Sequence, residues 1–431
     1  MTVNYQDEQA WMVEIAINKM KVYLVGGAVR DQLLNYPVKE RDWVVIGSTP
    51  QQMLQNGYQQ VGRDFPVFLH PVTHEEYALA RKERKTAKGY YGFECDFGET
   101  TTLEDDLQRR DLTINAIAMD EHGKFIDPYH GVADLQAKIL RHVSKAFVED
   151  PVRVLRVARF AARYHHLGFK LADETRSLMY DMVRQGELAH LVAERVWQEL
   201  ERSLHEKNPE IFIATLRSCG ALEVIFPEIN RLFGVPGTPM YHPEVDSGVH
   251  TLMALEAMVA SSDDPMCRFA TLVHDLGKGV TPMTTWPSHH GHEENGVSII
   301  DEFCQRLRIP SDWRKFAMMV SRYHLNIHRI SELRADTIVK ILEKTDSFRR
   351  MEQFEKLLRV CEADASGRIG KVDYEQANKW RFVHTECLKI QPKVLVEQGY
   401  QGIAIKNELH NRRVACVALI LNFWKHHEKQ Q

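Results

Sequence analysis

Sulfur chemistry is the first thing this chain of 431 residues has little of. Its seven cysteines, at 95, 219, 267, 304, 361, 387 and 416, are scattered, odd in number and form no C-x-x-C pair. That excludes a disulfide frame and a zinc ribbon and predicts reduced thiols in a cytoplasmic protein. No apolar run approaches the roughly 20 residues that span a bilayer, so no membrane association is expected. Residues 1–19 are acidic and mixed and lack the basic and apolar regions of a secretory signal. A surplus of positive charge is also missing. The net charge of −4 excludes indiscriminate attraction to nucleic acid and confines any RNA contact to a local basic surface. Internal repeats, heptad runs and low-complexity tracts are absent as well.

The length calls for about two to four domains. Between 20 and 140 the pattern alternates. Strands are predicted at 21–25, 42–46, near 66–69 and at 76–81, with helices at 28–34, 49–57 and from 103. This is an α/β unit with a mixed sheet. Residues 1–19 read as an extension, with Met20, directly before the first strand, as the expected original start. The basic segment RKERKTAKGYYG, 81–92, reads as a mobile loop. From 150 onward helical periodicity dominates, and Gly220, Pro227, Pro236 and Pro239 mark a change of domain. The expected units are an extension 1–19, an α/β unit 20–140, a helical unit 141–225, a histidine-rich helical unit 226–345 and a last helical region 346–431.

Residues 22–42, VYLVGGAVRDQLLNYPVKERD, carry the clearest chemistry. A strand runs into a Gly-Gly pair that opens a helix, a geometry whose backbone amides suit phosphate. Glu40 and Asp42 follow at strand spacing, which puts both carboxylates on one face. Paired hard oxygen ligands suit Mg²⁺ beside a nucleotide. Further on, RRDLTIN (109–115) precedes an apolar segment, and Pro151 suits the first turn of a helix that Asp150 caps. On that helix Arg153, Arg156, Arg159 and Arg163 fall within about a third of the circumference. Such a stripe is either a solvated face paired with acidic neighbours or a phosphate- and base-reading face. Four arginines without a lysine favour the second, because planar forks match phosphate and base edges.

LVGGAVRD, carboxylate-x-Asp, RRDLTIN, DPYHGVADL and EDPVRVLRVARFAAR occur in this order and together resemble the bacterial class II CCA-adding enzymes. These are tRNA nucleotidyltransferases of the DNA polymerase β superfamily. The resemblance runs from Met20 through the histidine-bearing region, so it is strongest to the multifunctional branch that carries an HD phosphohydrolase domain. It implies a polymerase β-like head with a mixed sheet, then all-α neck, HD and C-terminal helical domains. It also implies addition of C, C and A to the 3′ end of tRNA from CTP and ATP without a nucleic-acid template, by a monomer or a homodimer. By position, Glu40 and Asp42 would hold Mg²⁺, and Gly27, Arg30 and Arg110 would contact the nucleotide. Asp150 and Arg153 would read the base, with Arg156 and Arg159 adding charge nearby. CTP and ATP both present an exocyclic amino donor that Asp150 can accept, where UTP and GTP present a carbonyl. Relatives usually carry Asp where this chain has Glu40, and Glu76 is a candidate third carboxylate. A poly(A) polymerase of the same superfamily and a catalytically weakened tRNA-binding protein are the alternatives.

A second constellation lies in TLVHDLGKG (271–279), which places His274 and Asp275 inside an apolar helix ending at Gly277. Buried charge needs a partner, and a metal serves. His250 and Asp364 supply the outer members of an H…HD…D pattern, while SHHGH (288–292) and RYHLNIH (322–328), with His324, offer further imidazoles. Mixed His/Asp ligation suits Ni, Mn, Fe or Zn more than Ca. The pattern resembles the HD phosphohydrolase superfamily and implies phosphatase, 2′-nucleotidase and 2′,3′-cyclic phosphodiesterase activities, with Ni²⁺ the favoured ion. Relatives have a His-Asp pair where this chain reads His324-Leu325, so a mononuclear site is expected. The basic loop, the arginine helix, and Lys406, Arg412 and Arg413 are expected to meet tRNA phosphates.

Overall fold

The computed structural model describes residues 20–38, 40–61, 67–85, 93–96, 100–237, 246–368 and 373–428. The expected extension 1–19 and positions 86–92 of the basic loop lie outside them. The chain folds as two compact units, 1–199 with 214–225, and 200–213 with 226–431.

In the first unit β1 (Lys21–Val25) feeds α1 (Gly27–Leu33), then β2 (Asp42–Ile46), α2 (Pro50–Gln55), β3 (Gln59–Val61), β4 (Val67–Leu69) and β5 (Glu76–Leu79). A hairpin of β6 (Lys82–Lys85) and β7 (Phe93–Asp96) precedes α3 (Leu103–Gln108), β8 (Ala118–Met119) and β9 (Phe125–Ile126). The main sheet has the order β3-β4-β5-β2-β1-β8-β9. It is mixed, because β2 is antiparallel to β1 and parallel to β5. Alternation along β2 sorts its faces. Val44 packs with Val25, Leu103, Leu107 and Ala118, and Val45 with Met53, Phe68, Tyr77 and Leu79. Reciprocal capping boxes start the covering helices, Thr49 with Gln52 for α2 and Thr102 with Asp105 for α3. Asp42 shares the face of Val44, at the end of β2 nearest α1.

Helical structure then takes over: α4 (Gly131–Ala137), α5 (Val152–Tyr164), α6 (Asp173–Arg184), α7 (Ala193–Leu204), α8 (Pro209–Ser218) and α9 (Ala221–Ile225), with one short parallel pair, β10 (Ile139–Leu140) and β11 (Lys170–Leu171). Helix α5 is buried nearly all round, including Arg153 and Arg159. The arginine stripe is therefore not a solvated face.

The second unit is helical among the described residues. It contains α10 (Pro227–Asn230), α11 (Ser247–Ser261), α12 (Pro265–Val273), a 3-10 turn at Leu276–Val280, α13 (His292–Arg306), α14 (Ser311–His328), α15 (Ala335–Lys344), α16 (Met351–Ser366), α17 (Gln376–Leu388), α18 (Pro392–Glu397) and α19 (Ile403–Glu428). Asp246 caps α11 and Asp264 caps α12 through side-chain acceptance of first-turn amides. Helices α11, α12, α14 and α16 pack on one another, α13 packs on α14, and α19 on α15 and α17. Among the described residues no helix is long and apolar enough to cross a membrane.

Candidate functional site

The first site grows from the turn after β1. Gly26 has φ +68° and ψ −125°, a conformation that suits glycine, and a Cβ there would lie 2.7 Å from Arg110 Nη1. The missing side chain lets Arg110 lie against the turn. Among the described residues no side chain caps the N-terminus of α1, which leaves its first amides without a capping acceptor, a feature that suits phosphate. Directly across the ladder Val25 pairs with Asp42, and Asp42 with Glu76. Asp42 is open to solvent, yet partial desolvation raises its pKa, with Arg110 opposing and Glu40 adding. The register places Asp42 and Glu76 side by side at the end of the sheet next to the Gly26 turn, with Arg110 and Glu40 near enough to act on Asp42; carboxylates of this kind are the hard-oxygen ligands that divalent ions take.

Arg110 is aimed by Asp106, which sequence reasoning passed over. The Asp106 carboxylate is fully buried and accepts from Arg110 Nη2 at 3.2 Å and from Arg109 Nε at 3.1 Å. Burial works against its charge, but the two guanidiniums hold its pKa below the usual range. Its signal was the i, i+3 and i, i+4 spacing in LEDDLQRR. Arg30 points inward. It pairs with Asp31, donates to Asn115 Oδ1 and lies over the rings of Phe160 and Tyr164 at 5.1 and 5.3 Å.

Asn115 and Asp111, both in RRDLTIN, link this turn to α5. Asn115 donates to Asp111 Oδ1 at 2.8 Å, and its carbonyl accepts from Arg110 at 3.4 Å. Arg156 Nε reaches Asp111 Oδ2 at 2.7 Å. Desolvation opposes the charge of Asp111, yet Arg156, Asn115 and the Leu112 amide hold its pKa far below the ordinary carboxylate value. The remaining arginines are also paired, Arg159 with Glu199 at 2.6 Å and Arg163 with Asp31 at 3.2 Å. The acidic-neighbour reading of the stripe holds for its pairing but not for its solvation. Asp150 accepts from the Val152 amide at 3.1 Å, but it stands one position ahead of the N-cap rather than at it: α5 begins at Val152, and Pro151 occupies the N-cap position. Arg153 donates to the Ala146 carbonyl.

The second site is buried. His274 and Asp275 do not lie inside the helix, as the apolar run suggested. Helix α12 ends at Val273, and the pair occupies the joint to the 3-10 turn. Close packing explains the joint: a Cβ on Gly277 would lie 1.9 Å from the His292 carbonyl oxygen, and one on Gly296 would lie 2.3 Å from Ser321 Oγ. Only glycines let the turn, α13 and α14 come this near.

Three imidazoles are oriented alike. Nδ1 of His274, His292 and His324 donates to the carbonyl three residues back, Thr271, His289 and Ser321, at 2.7, 2.8 and 2.7 Å. Each therefore turns Nε2 toward the interior, the nitrogen that a neutral ring offers as a lone pair. Those of His292 and His324 face each other at 3.3 Å, and Asp275 Oδ1 is 3.3 and 3.6 Å from them. Acceptors do not face acceptors without a cation between them. Asp275 Oδ1 and His274 Nε2 are also buried with no hydrogen bond of proper geometry. Two ligand groups result, His250–His274–Asp275 and Asp275–His292–His324, sharing Asp275. The donor set fits divalent metal.

Asp364 completes the site from α16. Its Oδ1 is 2.7 Å from His250 Nε2, and its Oδ2 2.7 Å from His328 Nε2, while Tyr374 donates to His328 Nδ1 at 2.9 Å. Lys278 Nζ lies 2.6 Å from Asp275 Oδ2. Burial disfavours charge on every group here. It pushes His324 down to about 4, whereas on His274 the neighbouring Asp275 and Asp364 overcome it and raise the pKa to about 10. Against the same burial, His274 and Lys278 hold Asp275 well below the usual carboxylate range. His292 and His328 were visible in sequence only as extra imidazoles. The i, i+4 spacing of His324 and His328 was the signal for the second. Leu325 removes no ligand in this arrangement, because Asp275 supplies the carboxylate beside His324.

Of the C-terminal cations expected to meet RNA, Arg412 pairs with Glu408 and Arg413 lies 3.6 Å over the Phe348 ring, while Lys406 is exposed.

Three family models match the chain. Residues 22–141 match the poly A polymerase head domain, 168–233 the model described as probable RNA and SrmB- binding site of polymerase A, and 248–365 the HD domain. The multifunctional CCA protein of Legionella pneumophila strain Paris is 63% identical over 410 residues, 95% of this chain and 100% of that protein. That of Thioalkalivibrio sulfidiphilus is 60% identical over 407 residues, 94% and 100% of the two chains. Among solved structures, a CCA-adding enzyme in complex with ATP aligns over 96% of this chain and 90% of its own, with TM-score 0.64 and 19% identity. The Thermotoga maritima CCA-adding enzyme complexed with tRNA covers 96% and 91%, with TM-score 0.60 and 18% identity. These two likenesses are of fold.

Proposed function

We propose a division of labour for a chain that belongs to the multifunctional CCA protein family, and so is a CCA-adding nucleotidyltransferase bearing an HD domain. Its head extends the 3′ end of tRNA with C, C and A from CTP and ATP, and its HD site hydrolyses phosphate esters at RNA ends. Working units are a head at 20–140, a neck at 141–225, an HD unit at 226–345 reached by Asp364, and a C-terminal region at 346–431 that grips tRNA.

The observation that carries the head reading is the register Val25–Asp42–Glu76 beside the Gly26 turn and Arg110. Glu40 and Asp42, with Glu76 alongside, would hold Mg²⁺. That ion supplies charge neutralisation for the triphosphate and a more acidic 3′-OH. Arg110 and the α1 amides bind phosphate. Asp150 and Arg153 meet the base edge, and the buried arginine network keeps that edge at a fixed distance from the carboxylates. Purified protein is expected to extend a tRNA lacking its last three nucleotides by two residues with CTP alone and by three with both nucleotides. Addition from ATP alone to that end would instead indicate a poly(A) polymerase. Asp42→Ala is expected to lower extension by about a thousandfold while tRNA binding persists. Retained extension would remove Asp42 from the metal site.

For the HD site the carrying observation is the pair of facing imidazole lone pairs at 3.3 Å. It supports two ions sharing Asp275, one with His250, His274 and Asp364, the other with His292 and His324. Ni²⁺ is the proposed native ion and 2′,3′-cyclic phosphate the proposed substrate class, along with 2′- and terminal phosphate monoesters. Such ions supply Lewis acidity toward phosphoryl oxygens. Lys278 adds positive charge, and Tyr374 with His328 orients Asp364. Metal analysis of protein loaded with Ni²⁺ is expected to give about two ions per chain, and about one in His292→Ala. Equal content in both would return the site to a mononuclear reading.

A further inference from the structure

The base-reading turn has a partner outside the motifs that identified it. Arg195, in the first turn of α7, sends both arms of its guanidinium to Asp150, Nη1 to Oδ1 at 3.1 Å and Nη2 to Oδ2 at 2.7 Å. The Val152 amide adds a donor to Oδ1 at 3.1 Å. A carboxylate has about two acceptor positions on each oxygen. Among the described residues Oδ1 is thus filled, and Oδ2 keeps one position. Four residues along α7, Glu199 holds Arg159 of α5 at 2.6 Å. The i, i+4 spacing puts both ion pairs on one face of α7. That face braces the nucleotide-reading row at two points, residue 150 ahead of α5 and residue 159 within it.

We propose that Arg195 is a specificity-determining positioning residue: its fork orients Asp150 so that one acceptor position on Oδ2 is left for one amino hydrogen of the incoming base. This rests on the reading of Asp150 as the base-reading carboxylate. Arg195 touches neither base nor reacting phosphate and acts through Asp150. A bidentate pair fixes the carboxylate plane as well as its place. Cytosine or adenine offers the N–H donor that the remaining position accepts. Uracil or guanine brings a carbonyl oxygen there, and a clamped carboxylate cannot rotate away, so two acceptors stay opposed. Loosening the clamp relieves that penalty for the wrong base more than it weakens the right one. The fork therefore governs choice of nucleotide more than rate.

The test compares kcat/KM for CTP and UTP on one truncated tRNA, using the full chain and its Arg195→Lys, Arg195→Gln and Asp150→Ala variants. Lysine keeps the charge and loses the planar fork. Arg195→Lys is expected to lower the CTP-over-UTP preference by about 10- to 100-fold, through a raised KM for CTP and a gain in UTP use. Arg195→Gln, a second variant should the first fold poorly, is expected to relax it at least as far, with tRNA affinity unchanged in both. If both Arg195 variants lower CTP and UTP use by the same factor, or keep the preference, while Asp150→Ala abolishes it, the role of Arg195 is structural and this proposal is overturned with the base reading intact. If Asp150→Ala itself keeps the preference, the base reading falls and the proposal with it.

Discussion

Asp111 shows what one buried carboxylate does for the head. It joins Arg156, Asn115 and the Leu112 amide, so its loss leaves a guanidinium and two amide donors without their acceptor. Breaking a fully buried pair costs about 3–5 kcal/mol; the Arg156 side chain is 35% exposed, which brings the expected cost of Asp111→Asn to about 2–3 kcal/mol. The pH dependence has a definite sign. The folded pKa lies below the ordinary 3.8, so the contribution is fully present above that value and disappears as pH falls through the folded pKa. The stability gap between wild type and Asp111→Asn, read from denaturant midpoints, should be constant from pH 7 to about 5 and shrink toward pH 3. A gap that widens on acidification would contradict the assignment. Asp111 and Asn115 stand in RRDLTIN and Asp106 three residues ahead of it, yet their roles were hidden, because a sequence does not say which carboxylate faces which guanidinium.

At the scale of elements, the strands and helices of the head were legible because each carries its own signal. Strand β2 appears at 42–46, as its β-branched run predicts, and α2 and α3 begin at capping residues. The His274–Asp275 joint was misread as helix interior, since the close approach that ends α12 depends on glycines meeting α13 and α14, elements distant in sequence. Gly277→Ala therefore tests the joint. The added methyl would meet a carbonyl oxygen at 1.9 Å and push α13, with His292, out of place. HD-site hydrolysis and metal content are expected to fall by about tenfold or more, with CCA addition unchanged. An active, metal-replete variant would show that α13 tolerates the shift.

For the whole molecule, each of the two units carries one of the two proposed sites, and the proposed ligand sets share no residue. His274→Ala should abolish hydrolysis of a 2′,3′-cyclic nucleotide in the presence of Ni²⁺ and leave CCA addition within about twofold, the reverse of Asp42→Ala. Loss of both activities in either variant would mean that the sites are coupled. The sequence by itself determined the class of chemistry, because phosphate-binding glycines, paired carboxylates, arginine-rich helix starts and the H…HD…D pattern are local choices of residue type at local spacing. It also determined the mixed sheet, through strands that alternate with helices. Only the tertiary structure decided that Arg153 and Arg159 of the stripe are buried and that Arg156, Arg159 and Arg163 are paired with carboxylates, that Asp275 is shared by two ligand groups, and that Arg195 clamps Asp150. Each of these joins residues from about 20 to 130 positions apart, and such long-range pairing is set by how helices pack, which no local pattern encodes.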